Sequence, residues 1–130
     1  MSIWEDHDLD QMLAEMLGAV TGNDDAHHLG RPWTTAYQLS ARLEQTHPEA
    51  FAALGGNPGG EGTGQRSSVP QKLANQLSRR ILHRADYPIE GAFLSNDGID
   101  DMTFTRRGHR PVRSTLTRDR GDLSMFRLRG

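Results

Sequence analysis

Lys72, Asn75, Gln76, Arg79 and His83, flanked by Arg80 and Arg84, recur along one stretch of this 130-residue chain at helical spacing. Their chemistry suits nucleic acid. Guanidinium and ammonium groups neutralise phosphates, and side-chain amides offer donors and acceptors to base edges. No carboxylate stands between positions 67 and 85, so no acid in the stretch pairs these cations. A second basic set, Arg106, Arg107, Arg110 and Arg113, surrounds a turn and suits phosphate-backbone contacts. The plainer alternative for the first set is a solvated helix face whose cations favour its C-terminal end.

Other groupings do not reach a chemical constellation. Asp24, Asp25, His27 and His28 are metal-ligand types, but adjacent histidines do not share the i, i+4 face of helical zinc ligands, and no HExxH occurs. Asp97, Asp100 and Asp101 lack the EF-hand spacing and its terminal Glu. The glycines from 59 to 64 have the spacing of a phosphate-binding loop, yet Gln65 stands where its lysine belongs and no buried strand precedes. His47 and Glu49 sit at a helix start and read as capping groups, and His83 has no nucleophile beside it. Arg120-Gly121-Asp122 matches an adhesion tripeptide by chance. The expectation is a protein that is not an enzyme, with no catalytic residues, no metal and no cofactor.

Composition narrows the class. Apolar residues make up 35% of the chain and net charge is −2. That balance hides an asymmetry: residues 1–30 hold seven acids and no Lys or Arg, while residues 66–130 hold thirteen Lys or Arg against seven acids. Fourteen of the fifteen cations are arginine, which suits bidentate contacts and equally follows from GC-rich coding. With no cysteine, disulfides, thiolate catalysis and Cys-type zinc sites are excluded. No apolar run approaches the ~20 residues of a membrane span, and the acidic N-terminus is unlike a signal peptide. A cytoplasmic protein with no membrane partner is expected.

The elements that would position the basic sets follow from periodicity. In residues 8–20, Leu9, Met12, Leu13, Met16, Leu17 and Val20 form a regular apolar stripe, with Asp8 as the expected N-cap. Such a stripe is a core face, or a seam for a partner or a second copy. Residues 34–46 read as a helix with the capping box Thr35–Gln38. Residues 47–54 read as a short helix with Thr46–Glu49 as its box. A Gly-rich loop over 55–66 leads to the helix at 68–84, which Ser68 caps and Pro70 begins. The period then changes to two. Strands are expected over 89–95 and 99–105, joined by the Asn96-Asp97-Gly98 turn, then over 110–117, with 123–128 as a last strand or a tail.

Helix, short helix, long helix and hairpin, over residues 34–107, is an order that resembles a winged helix-turn-helix domain. The resemblance implies a first helix at 34–46, a second at 47–54, recognition helix 68–84 and a wing at 89–105. The expected fold is thus α+β: a small winged-helix-like domain with three or four helices followed by a β-hairpin or small antiparallel sheet. The expected organisation is an acidic N-terminal helix and loop at 1–30, the winged-helix-like body at 31–117, and a basic strand or tail at 118–130. Two functions fit. One is a small DNA-binding regulator using helix 68–84. The other is a non-enzymatic adaptor or inhibitor, such as a mobile-element accessory factor, that meets a protein partner or forms a homodimer through the N-terminal helix.

Overall fold

The computed structural model describes residues 2–20, 28–59, 68–95, 97–114 and 123–129. Asp24, Asp25 and His27, most of the Gly-rich loop, Asn96 and the Arg120–Asp122 tripeptide lie outside the described residues. The fold is α+β, with helices α1 (Ile3–Asp6), α2 (Leu9–Gly18), α3 (Ala36–Thr46), α4 (Pro48–Ala53) and α5 (Val69–His83). Strands β1 (Thr34–Thr35), β2 (Ile89–Leu94) and β5 (Leu123–Leu128) form one antiparallel sheet in the order β1-β5-β2. Strands β3 (Met102–Phe104) and β4 (Val112–Ser114) form a separate antiparallel pair. Among the described residues no helix is long and apolar enough to cross a membrane.

The helices form where capping and apolar period agree. Thr35 and Gln38 make the reciprocal box, with Gln38 N donating to Thr35 Oγ1 at 3.1 Å and Thr35 N donating to Gln38 Oε1 at 2.8 Å. Ser68 Oγ accepts from Gln71 N at 3.2 Å at the head of α5. Two expected caps are absent. Asp8 takes a left-handed conformation (φ 50°) that links α1 to α2, and makes no side-chain cap bond; an N-cap needs extended backbone there. Thr46 belongs to the last turn of α3, where its hydroxyl donates to Arg42 O at 2.8 Å, so His47 heads α4 instead.

One core cluster draws on all three expected segments, from Trp4 to Phe126. Leu9, Leu13, Leu17, Leu39, Leu43, Val69, Leu73, Leu77 and Ile89 are among its fully buried side chains. Truncating a core leucine of this kind to alanine costs about 2–5 kcal/mol. The sheet sits close to α5: a Cβ on Gly91 would lie 3.3 Å from Ile81 Cδ1 and 3.4 Å from the Phe126 ring. A smaller cluster joins the sheet end to the hairpin through Phe104 and Leu123, with Tyr37 stacked on Phe104 at 5.0 Å.

Strand pairing differs from the sequence expectation. Residues 99–105 do not return along 89–95. β2 pairs along its whole length with β5, Ile89 opposite Leu128 and Leu94 opposite Leu123. β3 pairs instead with β4, Phe104 opposite Val112. The segment expected as a last strand or tail is therefore the central strand. The hairpin turn is the basic stretch after Phe104, and the acidic stretch at Asp97 is a connection between sheets. The reason is burial: Phe126 is 3% exposed and joins both β1 and β2 to the core, a gain that a local turn signal at 96–98 cannot match.

Candidate nucleic-acid interface

The periodicity of α5 sorts its side chains into three bands. Val69, Leu73 and Leu77 are buried, which turns Gln71, Asn75, Ser78, Arg79, Leu82 and His83 outward in one exposed stripe. Gln71 Nε2 donates to Asn75 Oδ1 at 3.1 Å, aligning two amides along it. Arg79 makes no ion pair among the described residues and is exposed. Leu82 is 77% exposed near the C-terminal end of this polar band.

Of the residues singled out on this helix, Asn75, Arg79 and His83 lie on the exposed stripe; Lys72, Gln76 and Arg80 lie on half-buried flanks with partners. Lys72 Nζ donates to Leu54 O at 2.7 Å, closing the C-terminal end of α4. Gln76 Oε1 accepts from Arg80 Nη1 at 2.7 Å. Arg80 turns away from solvent. Its guanidinium lies 4.4 Å over the Trp4 ring, and its Nε is 3.0 Å from Asp10 Oδ1 in an ion pair whose angle makes no hydrogen bond. The basic set of the sequence is thus split between a surface and a structural joint.

That joint converges on Asp10. Its Oδ1 accepts from Trp4 Nε1 at 2.8 Å and from the Tyr87 hydroxyl at 2.7 Å, and its Oδ2 lies 3.3 Å from Arg84 Nη1. Burial alone would raise the Asp10 carboxyl. The bonds from Tyr87 and Trp4 and the charges of Arg80 and Arg84 outweigh it and hold the group below its ordinary value. Burial, the hydrogen bond to Asp10 and the Asp10 charge together push the Tyr87 phenol far up, so it stays a protonated donor. An acidic N-terminal helix does therefore meet the basic helix, but at its flank, leaving the outward stripe uncovered by these contacts.

The second basic set forms the β3–β4 turn. Arg106 is anchored: its Nε and Nη2 donate to the two Glu44 oxygens at 3.0 and 2.8 Å, with side chains only 13% and 16% exposed. His109 N donates to Arg106 O at 2.9 Å, Arg106 Nη1 donates to Arg110 O at 3.3 Å, and Gly108 takes φ 78°, the left-handed conformation the turn requires. The fixed turn projects Arg107 and Arg110 into solvent. Arg113 on β4 is also exposed and lies 3.8 Å from Asp101.

The N-terminal stripe is placed elsewhere than expected for a partner seam. Leu9, Leu13, Met16 and Leu17 are buried in the chain's own core, Met12 packs against it, and Val20 is half-buried. This face packs α2 against β5 within the main core. Sequence reasoning missed Gln71, Ser78 and Leu82, although they share the seven- and eight-residue spacing of the outward band. It also missed Asp10, whose partners are distant in the chain and leave no local signal. Among the described residues no group of three or more His, Asp or Glu is placed to hold a metal ion. No protein-family model, curated protein or solved structure matches the chain.

Proposed function

We propose that this protein is a small, non-catalytic nucleic-acid-binding module of winged-helix-like design that reads duplex DNA with the outward stripe of α5. The observation that carries the reading is the stripe itself: Gln71, Asn75, Ser78, Arg79, Leu82 and His83, exposed together on a helix without a carboxylate. Gln71 and Asn75 supply the amide pattern that matches adenine edges, Arg79 reaches guanine or phosphate, and Leu82 meets a thymine methyl. The hairpin turn takes the part of the wing. Its tip presents Arg107 and Arg110 rather than acids, which removes the repulsion that a tip at Asp97 would create. Arg80 and Lys72 support the helix from behind and do not touch the nucleic acid.

The test is fluorescence anisotropy with a mixed-sequence duplex of about 25 base pairs at rising salt. The logarithm of affinity should fall linearly with the logarithm of salt, by about 0.9 for each phosphate neutralised. Arg79→Ala and Arg107→Ala should each weaken binding and flatten that slope by about one. Absence of binding at the lowest salt would remove the proposal.

A further inference from the structure

We propose that a groove between α2, α3 and the β3–β4 hairpin binds a nucleoside phosphate. Two cavities meet there. The first, about 300 Å³, has an apolar floor of Met16, Leu17 and Leu39, with Trp33 on its wall. The second, about 470 Å³, lies between α3 and the hairpin and is lined by Arg42, Arg107, Thr103 and Thr105. Gln38 and Arg42 line both, one helical turn apart on α3, so the two cavities adjoin along this helix, the first with an apolar floor and the second cationic. Among the described residues no carboxylate lines either cavity. The guanidinium groups of Arg42 and Arg107 have no ion-pair partner among the described residues.

The chemistry of the two ends fixes the class of occupant. A planar ring with apolar faces fits the first cavity beside Trp33, one face of whose ring is covered by the Arg127 guanidinium at 4.2 Å. Gln38 Oε1 is held by Thr35 N, which leaves its Nε2 to donate to a ring-edge or sugar acceptor. Two guanidinium groups and threonine hydroxyls at the other end suit a dianionic phosphate. The groove is prepared in advance. Tyr37 stacks on Phe104 with ring planes 4° apart, and the Arg106–Glu44 pair fastens the hairpin to α3. This site stands apart from the α5 stripe; it shares Arg107 with the hairpin tip, whereas Arg42 and Trp33 have no part in the duplex-binding reading and test the groove independently of it.

The experiment titrates the full chain with AMP, adenosine and inorganic phosphate by calorimetry and tryptophan fluorescence. AMP should bind saturably and quench fluorescence, with adenosine and phosphate each at least about tenfold weaker. Arg42→Glu should weaken AMP at least about tenfold with the melting temperature unchanged, since Arg42 is exposed and unpaired. Trp33→Phe should bind AMP with most of the quenching lost. No saturable AMP binding, AMP affinity unchanged in Arg42→Glu, quenching unchanged in Trp33→Phe, or phosphate binding as tightly as AMP would each overturn the proposal.

Discussion

Arg80 Nε stands 3.0 Å from Asp10 Oδ1, and the same guanidinium covers the Trp4 ring. Through this contact the N-terminal helices are fastened to the last turns of α5, and Tyr87 completes the joint from the start of the sheet. Among the described ion pairs, Asp10 is the acid at the head of the chain that meets the cations Arg80 and Arg84, on the flank of the helix. The outward stripe, with Arg79 at its centre, stays available.

Asp10→Ala should lower stability by about 1–3 kcal/mol, because it strands the Trp4 and Tyr87 donors and the Arg80 charge. Chemical denaturation measures this. The pH dependence has a definite sign. The folded-state carboxyl titrates below its ordinary value, so the unfolded chain binds more protons in the acid range. Asp10's contribution is present above the unfolded value near pH 4 and is lost as pH falls through the depressed folded value. The stability gap between the native chain and Asp10→Asn should be flat above about pH 5 and shrink on acidification. A gap that widens toward low pH would contradict the joint.

Lys72 is expected to act on stability and not on nucleic acid. Lys72→Met removes the bond to Leu54 O and should cost about 0.5–1.5 kcal/mol, with duplex affinity at a given salt unchanged. A loss of affinity and of salt slope equal to that of Arg79→Ala would place Lys72 on the binding surface instead.

Leu13→Ala distinguishes a core face from a seam. Leu13 is 0% exposed, so its truncation should cost about 2–5 kcal/mol in unfolding free energy, independent of protein concentration. A wild-type melting temperature that rises with concentration, and a Leu13→Ala effect that vanishes on dilution, would instead identify a dimer seam.

Glu44→Ala should free the hairpin. It leaves Arg106 half-buried without its bidentate partner, a cost of about 1–3 kcal/mol. Amide hydrogen exchange should accelerate in β3 and β4 more than in α5. Uniform acceleration across the chain would mean that the pair serves the whole fold and not the hairpin.

Helices α2 to α5 were legible from sequence because their determinants are local, whereas α1 (Ile3–Asp6) was not read. The Thr35–Gln38 box and the Val69, Leu73, Leu77 period place α3 and α5 to within a residue or two of their observed bounds. The sheet was not. Leu123–Leu128 pairs with Ile89–Leu94 across an inserted hairpin, and the Asp97-Gly98 turn advertises a local return that the fold does not make. Nothing near Phe126 announces that it will be central. The site was half-legible for the same reason. Arg79 and His83 follow from helical period, whereas the withdrawal of Arg80 depends on Asp10 and Trp4, which meet it only in the folded chain.

The central claim is that the α5 stripe binds duplex DNA, and Arg79→Glu tests it most directly. Arg79 is exposed and has no structural partner among the described residues, so the variant should melt as the native chain does. Anisotropy against the mixed-sequence duplex at about 50 mM salt should show affinity lower by at least about tenfold, with a salt slope reduced by one to two. Equal affinity and equal slope for Arg79→Glu and the native chain would contradict the account.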